Sequence, residues 1–493
     1  MKIRRTAVNS FVWLSVCLAG GAWAQALPPA VAEALMRAQV PLENVSVVVR
    51  EAGAREAALS LNADKAMNPA SVIKLVTTFA GLELLGPAYT WKTDVLIAGD
   101  MNRGTLNGDL VLKGAGDPKL SVERFWLLLR QLRERGLTTI KGDLILDRSF
   151  FESAPHDPAL FDGEPLRAYN VGPDALLLNF KTVRFHFSPS VDDKSVSISP
   201  DIRPVQLEIV NRVKLSDGPC GEWRDRVVAD IQTPTPVKLK VSFTGSYSRR
   251  CGEKTWGLSL LDHARFVGGV FASLWRDLGG TWNGAVKIAP TPADARLIAT
   301  LESAPLADAI RDINKFSNNV MARQLFLTLS AELNKEPGNQ TASGLIIRDW
   351  LAKKGIPAGE LIVENGSGLS RNERISAATL AQLLEAAWKS SVMPEFMSSL
   401  SLVGIDGTMR KRGKNGKTES IAGQAHIKTG SLNDARAMAG YVLDGGGRRW
   451  IVVMMVNHPN ALSTQAAQDA LLNAVYASNG TSGAVSPSGT NGR

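Results

Sequence analysis

The chain has 493 residues, a formal net charge of +9 and 44% hydrophobic residues. This length is too great for one ordinary hydrophobic core and predicts two or three domains. Three cysteines and five histidines, without metal-ligand spacing, argue against a metal site, and no cofactor is expected. The chain has no nucleic-acid motif and no dense Lys/Arg run with interleaved aromatics, so nucleic acid is not an expected partner.

The first 24 residues have the pattern of a secretory signal peptide. Three of the first five residues are basic, a short apolar core covers 11–19, and 22–24 form a small-x-small cleavage signature. We predict cleavage after Ala24 and a periplasmic protein. The apolar core is too short to remain as a membrane-spanning helix.

A serine and a lysine lie three residues apart at Ser71 and Lys74. Residues i and i+3 share one face of a helix, so the lysine can reach the serine. A serine hydroxyl needs a base to become a nucleophile, and lysine can be that base when burial or nearby positive charge lowers its pKa. Asn68 and Pro69 predict a helix start before the apolar run 75–85. Ser71 would then lie near a helix N-terminus, where backbone N–H groups can stabilise an oxyanion.

The stretch between residues 92 and 262 is rich in short alternating runs with Gly and Asp punctuation, a pattern typical of strands. Apolar periodicity of helical type returns at 262–282, 303–330, 377–400 and 463–477. We therefore predict an α/β (α+β) catalytic domain that is split in sequence by a long, mainly β insertion. Cys220 and Cys251 are the two cysteines left after export, and an oxidising compartment favours a disulfide between them.

Two more short motifs follow in the second half of the chain. A Ser-x-Asn string lies at 317–319, and a Lys-Thr-Gly-Ser string lies at 428–431, before two strand-like runs. Each motif alone is weak, because Ser-x-Asn is usually a turn or a cap and Lys-Thr-Gly is usually a loop. Together with the Ser-x-x-Lys pair, and in this order, they resemble the active site of penicillin-binding proteins and serine β-lactamases.

Nearly the whole mature chain resembles the class C low-molecular-mass penicillin-binding proteins, the DacB-like D-alanyl-D-alanine carboxypeptidase/endopeptidase family. Besides the three motifs, the resemblance rests on the long insertion and on glycine-rich strings at 113–118, 364–371 and 404–408. It implies a penicillin-binding-protein/β-lactamase-like transpeptidase domain that carries two nested β-rich domains. The expected boundaries are 25–91 and 263–477 for the catalytic domain, 92–115 and 194–262 for domain II, and 116–193 for domain III. Residues 478–493, rich in Gly, Ser and Asn, are predicted to be disordered.

The resemblance also implies a role for each catalytic residue. Ser71 would be the acylated nucleophile, and Lys74 would be the base that activates it. Ser317 would relay a proton towards the leaving group, while Asn319 would hold the substrate amide. The backbone N–H groups of Ser71 and Ser431 would form the oxyanion hole.

Substrate-binding residues are implied in the same way. Lys428 and Thr429 would bind the terminal carboxylate of the substrate, with Gly430 in the same string; a Lys–carboxylate contact is a charge-assisted hydrogen bond. In some relatives an arginine that ends the Gly-Ser-Gly-Leu-Ser-Arg string and an acidic residue in the insertion contact the side chain of the peptide. Arg371 matches the arginine, and Glu164 is the candidate for the acid.

The expected activity is that of a serine-type D-Ala-D-Ala carboxypeptidase, a DD-endopeptidase, or both, on peptidoglycan stem peptides, with β-lactams as covalent inhibitors. A serine β-lactamase is one alternative, but the stretch from Asn319 to Lys428 contains no Glu-x-x-x-Asn string, and a compact β-lactamase would lack the long insertion. A non-catalytic envelope-binding homologue is the other alternative, which is disfavoured because every motif position that carries chemistry is filled.

The charge leaves the question of surface partners open. The signal segment carries three of the positive charges, so about +6 of the net +9 stays on the mature chain. Such a surface is compatible with peripheral membrane association through anionic lipid headgroups or envelope polymers, and equally with a merely soluble basic protein. No pattern in the sequence sets the oligomeric state.

Overall fold

The computed structural model describes residues 27–190, 192, 194–235, 237–412 and 421–478. The predicted signal peptide with its cleavage site, and all of the predicted tail except Ser478, lie outside the described residues. No helix in the described ranges is long and apolar enough to cross a membrane.

The described residues form ten α-helices and nineteen strands, besides short 3-10 helices. The helices are α1 (Pro29–Arg37), α2 (Lys74–Leu85), α3 (Val122–Glu134), α4 (His263–Asp277), α5 (Leu306–Lys315), α6 (Asn319–Asn334), α7 (Gln340–Lys353), α8 (Ala377–Trp388), α9 (Met393–Ser399) and α10 (Gln465–Tyr476). The strands are β1 (Val45–Glu51), β2 (Leu59–Leu61), β3 (Lys92–Asn102), β4 (Thr105–Gly114), β5 (Thr139–Ile140), β6 (Leu144–Asp147), β7 (Val183–Pro189), β8 (Val196–Pro200), β9 (Leu207–Ser216), β10 (Val227–Thr235), β11 (Lys238–Ser248), β12 (Lys254–Leu258), β13 (Thr281–Trp282), β14 (Val286–Ile288), β15 (Arg296–Glu302), β16 (Ser401–Leu402), β17 (Ala425–Leu432), β18 (Ala435–Leu443) and β19 (Arg449–Asn457).

The catalytic domain is built on a six-stranded sheet with the order β16-β17-β18-β19-β1-β2. Its strands pair antiparallel, so β1 from the start of the chain lies beside β19 near its end. Both faces of the sheet are covered. On β19, Ile451, Val453 and Met455 pack under the central helices, while Val452 and Met454 pack towards α1 and α10. This double burial explains why β19 is a continuous apolar run rather than an alternating one.

Helix α2 lies at the centre of the helical layer. Every residue from Lys74 to Leu82 is buried, including the polar side chains of Lys74, Thr77 and Thr78. It packs in one cluster with α5, α6, α7 and α8. The position of α2 places the charged end of Lys74 inside the protein, where desolvation acts on its amine.

The insertion has three sheets around one shared core. A seven-stranded sheet contains β3, β4, β5, β6, β13, β14 and β15, and two three-stranded sheets have the orders β10-β11-β9 and β12-β7-β8. The buried side chains of all three sheets and of α3 and α4 form a single cluster. The predicted fold class, an α/β catalytic domain split by a mainly β insertion, agrees with this architecture.

The structure divides the insertion at different residues from those expected. Strands β5 and β6 pair with β4 in the large sheet rather than forming part of a separate domain over 116–193. The insertion also extends beyond residue 262, because β15 pairs with β3 and the apolar face of α4 packs in the core of the insertion. The helical periodicity of α4 indicated a buried face, but periodicity carries no information about the sheet on which that face packs.

Cys220 and Cys251 form a disulfide within the insertion, with their Cα atoms 4.8 Å apart. The two residues are 31 positions apart in sequence. A loop of this length corresponds to roughly 3–4 kcal/mol of stabilisation in the chain-entropy account of cross-links. The bond joins the region before β10 to the turn after β11, far along the chain from the three motifs.

Candidate active site

Ser71 lies in a short 3-10 turn, Ala70–Ile73, that leads directly into α2. The side chain of Asn68 accepts a hydrogen bond from Ala70 N–H at 2.9 Å. Asn457, at the end of β19, brackets the backbone of Asn68 with two hydrogen bonds of 2.7 and 3.0 Å. Ala70 has a φ of +46° and is fully buried, and this conformation costs an alanine on the order of 1 kcal/mol. The turn that presents the serine is therefore held by its surroundings.

The amine of Lys74 has three acceptors around it. Its Nζ lies 2.9 Å from Ser71 Oγ and 2.7 Å from Asn319 Oδ1, and it also donates to the backbone carbonyl of Ser367. A protonated lysine fills all three positions as a donor. A neutral amine donates to the amide and the carbonyl, and its lone pair then faces the Ser71 hydroxyl. The same geometry suits both protonation states, as a base that takes the serine proton requires.

The electrostatic surroundings of Lys74 favour the neutral amine. The side chain is fully buried, and burial is the largest of the effects that hold the pKa of Lys74 well below its ordinary value. The positive charges of Lys428 and Arg323 lower this pKa further, whereas the carboxyl group of Glu373 opposes them by raising it. This agrees with the physical argument from the sequence that burial and Lys428 make the lysine a base.

Lys428 and Ser317 meet on the other side of the site. Lys428 Nζ donates to Ser317 Oγ at 2.9 Å and to the carbonyl oxygen of Thr429 at 2.6 Å. The lysine is fully buried, and burial lowers its pKa to about 7. Ser317 has a φ of +55° and lies two residues before Asn319, the first residue of α6. The three motifs therefore meet through side-chain contacts: Lys74 donates to Asn319, and Lys428 donates to Ser317.

Strand β17 contacts the turn that carries Ser71 through Gly430. A Cβ atom added there would lie 2.6 Å from Pro69 O and 2.8 Å from Ser71 N, distances that real Cβ atoms do not tolerate. Only glycine allows the strand to approach the turn this closely. Ser431, the next residue on the strand, is exposed. This packing brings the backbone of the third motif against that of the first.

We expect Gly430→Ala to lower the rate of acylation on the order of 100-fold, because displacing the Ser71 turn misaligns the attacking atom. The acylation rate with a fluorescent penicillin measures the effect. Gly359→Ala is the matched control, because a Cβ at Gly359 meets no atom within 4 Å and this glycine is not in the left-handed region. Equal rates for the two variants would contradict the inferred contact.

The two residues assigned to the peptide side chain are not brought together. Arg371 lines a cavity of about 380 Å³, and its guanidinium lies 4.6 Å from the centre of the Phe161 ring. Glu164 is exposed, contacts Arg167 at 3.3 Å and does not line this cavity. The acidic residues that line it are Asp157 and Glu364. The carboxylate that contacts Arg371 is that of Asp434, at 3.0 Å. Glu164 as the acid that contacts the side chain of the peptide stays a prediction.

Two glycine-rich strings supply atoms that sequence reasoning treated only as turns. Ser367, in the string 364–371, provides the carbonyl that binds Lys74. Thr408, in the string 404–408, contacts Thr429 through their hydroxyl groups at 2.8 Å. A backbone carbonyl has no residue-type signal in a sequence, so the first contact was not predictable from the pattern of side chains.

The arrangement is suited to nucleophilic acyl transfer. It contains a serine beside a buried amine, an amide that holds the amine, and a second lysine with a hydroxyl beside it. Within the described ranges, no group of three or more His, Cys, Asp or Glu side chains is placed to hold a metal ion. The chemistry available to these residues is that of a serine acyl-enzyme.

Comparison with known proteins identifies the family. The family model described as "D-Ala-D-Ala carboxypeptidase 3 (S13) family" matches residues 27–476, most of the chain. The chain belongs to the S13 family. The predicted resemblance is thereby confirmed, and with it the enzyme class, a serine-type D-Ala-D-Ala carboxypeptidase acting on peptidoglycan.

Two D-alanyl-D-alanine carboxypeptidases align along most of the chain. The D-alanyl-D-alanine carboxypeptidase DacB of Haemophilus influenzae is 26% identical over 427 residues, which cover 84% of this chain and 85% of the relative. The D-alanyl-D-alanine carboxypeptidase of Actinomadura sp. strain R39 is 27% identical over 442 residues, covering 86% and 80%. The crystal structure of penicillin binding protein 4 (dacB) from H. influenzae superposes with a TM-score of 0.73 at 24% identity, covering 90% of this chain and 99% of that one. This superposition confirms the predicted fold class.

Proposed function

We propose that this S13 enzyme cleaves the bond after the penultimate D-alanine of peptidoglycan stem peptides through an ester on Ser71. The observation that carries the proposal is the buried amine of Lys74 at 2.9 Å from Ser71 Oγ. A lysine in this position is a base only if it is neutral, and its burial and the charge of Lys428 favour that form.

Acylation begins when Lys74 Nζ takes the proton of the Ser71 hydroxyl. Ser71 Oγ attacks the carbonyl carbon of the penultimate D-alanine, and the bond from that carbon to the leaving nitrogen breaks. The proton passes from Lys74 towards the leaving amine by way of Ser317, whose hydroxyl lies beside Lys428. Water then hydrolyses the ester, which releases the shortened peptide and restores the Ser71 hydroxyl.

Lys428 is the proposed anchor for the terminal carboxylate of the substrate. With a pKa of about 7 in the free enzyme, its amine is charged below that pH and neutral above it. A charged amine makes the stronger bond to a carboxylate.

For a peptide with a free carboxylate, we expect kcat/KM to fall roughly 10- to 100-fold as the pH rises through about 7, because the charge-assisted bond is lost. A peptide whose carboxylate is esterified should be a poor substrate for the wild type, and its kcat/KM should not fall as the pH rises through about 7. Lys428→Ala should discriminate little between the two substrates. Full preference of that variant for the free acid would place the anchor elsewhere.

A groove beside the Ser-x-Asn motif supports endopeptidase action in addition to carboxypeptidase action. Its volume is about 410 Å³, and its lining runs from Phe316 and Ser317 to Tyr169, Arg184 and Asp201 of the insertion. Phe316 is 68% exposed. Ser317 is on the leaving-group side in the proposed mechanism, and an endopeptidase substrate carries a second peptide on that side.

Digestion of purified muropeptides, with product identification by mass, tests the proposed function. We expect loss of one D-alanine from monomeric pentapeptides and cleavage of cross-linked dimers into monomers. Unchanged masses for both substrates would contradict a DD-peptidase. Turnover of monomers alone would contradict only the endopeptidase part.

We also propose export to the periplasm. The support is the basic start, apolar core and cleavage signature of the first 24 residues. The disulfide between Cys220 and Cys251 is a second support, because such bonds persist in oxidising compartments. Fractionation of cells that express the full chain, followed by N-terminal sequencing, should give a mature protein that begins at Gln25.

A further inference from the structure

Glu373 is a fully buried carboxyl group close to the catalytic base. It follows the glycine-rich string 364–371, just before the antiparallel bridge between Ile362 and Arg374. Its Oε2 has no hydrogen-bond partner in the described part of the chain. A buried carboxyl group with one unpaired oxygen is costly, and the acylation mechanism above does not use it.

A chain of hydrogen bonds connects Glu373 to Lys74. Glu373 Oε1 accepts from Asn365 N–H at 3.2 Å. Asn365 Oδ1 in turn accepts from the backbone N–H of Ser367 at 2.9 Å and from its hydroxyl at 2.6 Å. The carbonyl oxygen of Ser367 then accepts from Lys74 Nζ. The carboxyl group thus fixes the turn that supplies one of the three acceptors of the catalytic amine.

Charged groups on three elements face this carboxyl group: Lys74 on α2, Arg323 on α6 and Glu364 on its own loop. Burial raises the pKa of Glu373 to about 7, an effect that Asn365 N–H and Lys74 oppose. Burial also lowers the pKa of Arg323 to about 10, and Glu373 opposes that shift. The charge of Glu373 is therefore coupled to both neighbouring cations.

We propose that Glu373 is a positioning residue for Lys74, which it serves in two ways. It holds the Asn365–Ser367 turn against the amine, and its charge sets the pH at which Lys74 becomes a base. The inference rests on the proposed function, in which Lys74 activates Ser71. It assigns a role in the reaction to a residue that lies outside the three motifs.

The direction of the charge effect follows from electrostatics. Above a pH of about 7 Glu373 is ionised and stabilises the protonated form of Lys74. In that range the amine therefore loses its proton at a higher pH than it would without the carboxylate. Acylation of Ser71 increases with pH as the neutral amine forms. The acidic limb is the pH range over which the acylation rate rises as Lys74 loses its proton. Removal of the negative charge should therefore move this limb to lower pH.

Glu373→Gln separates the charge from the hydrogen bond. The amide oxygen can still accept from Asn365 N–H, but the charge is gone. We expect the acidic limb of penicillin acylation to shift to lower pH by about 1 unit or more. Glu373→Ala also removes the acceptor of Asn365 N–H, so its acylation rate should fall at every pH.

The experiment measures acylation rates with a fluorescent penicillin across pH for the full mature protein, with thermal melting as the check of folding. Glu360→Gln is the matched control, because Glu360 accepts from Ser376 N–H at 3.1 Å and from Thr379 Oγ1 at 2.7 Å near the start of α8. The acidic limb of acylation by Glu360→Gln should coincide with that of the wild type. A Glu373→Gln limb at the wild-type position would overturn the inference, whereas a wild type that penicillin does not label would refute the proposed function instead.

Discussion

Ser71→Ala is expected to abolish both penicillin labelling and release of D-alanine. The substitution removes the atom that forms the ester, and loss of a catalytic nucleophile lowers turnover by roughly 10⁴- to 10⁶-fold. The hydroxyl makes one close side-chain contact, with Lys74 at 2.9 Å. Its loss should change the free energy of unfolding by about 1 kcal/mol or less. Gel fluorescence after incubation with a labelled penicillin measures the first effect, and thermal melting measures the second.

Ser121→Ala provides a matched control for this substitution. Ser121 caps α3 in the insertion by accepting from Arg124 N–H, so the variant should lose about 1 kcal/mol of stability and keep its labelling. Labelling of Ser71→Ala at the wild-type level would assign the nucleophile to another residue.

Lys74→Ala is expected to lower acylation roughly 10²- to 10⁴-fold even at saturating substrate, the range that general base catalysis contributes. The loss should appear in the maximal rate, because Lys74 acts on the Ser71 hydroxyl and the carboxylate anchor is a different residue. Stopped-flow measurement of the acylation step at saturating penicillin gives this rate.

Lys74→Arg distinguishes a base from a mere charge at this position. An arginine keeps the positive charge beside Ser71 but cannot lose its proton within a protein. We therefore expect it to be as inactive as the alanine variant. An arginine variant with substantial activity would mean that the site needs only a cation, and the role of Lys74 as a base would be wrong.

The sequence predicted the parts of the site that depend on residue type and spacing. The three-residue spacing of Ser71 and Lys74 implied contact across one turn, and the structure places their atoms 2.9 Å apart. The apolar run after Lys74 predicted a helix, which ends at Leu85. The order of the three motifs favoured their convergence, and Lys428 indeed contacts Ser317.

The features that the sequence did not predict arise from tertiary packing. The carbonyl of Ser367 reaches Lys74 only because the glycine-rich string folds over α2, and a carbonyl has no side-chain signature. The predicted end of the insertion, residue 262, lies too early by one helix, α4, and three strands, β13 to β15. The periodicity of α4 would be the same whichever core the helix covered. Arg371 contacts Asp434, a residue 63 positions away in the sequence, and neither the motifs nor the glycine-rich strings predicted this pair.

Intact-protein mass spectrometry with benzylpenicillin tests the account most directly. We expect one covalent adduct per chain, located by peptide mapping on Ser71 and stable for minutes or longer, because the stretch between the second and third motifs lacks the Glu-x-x-x-Asn string of a deacylating enzyme. The same preparation should turn over D-Ala-D-Ala peptides. Hydrolysis of many penicillin molecules per second would instead indicate a β-lactamase, and an unmodified chain would contradict an acyl-enzyme on Ser71.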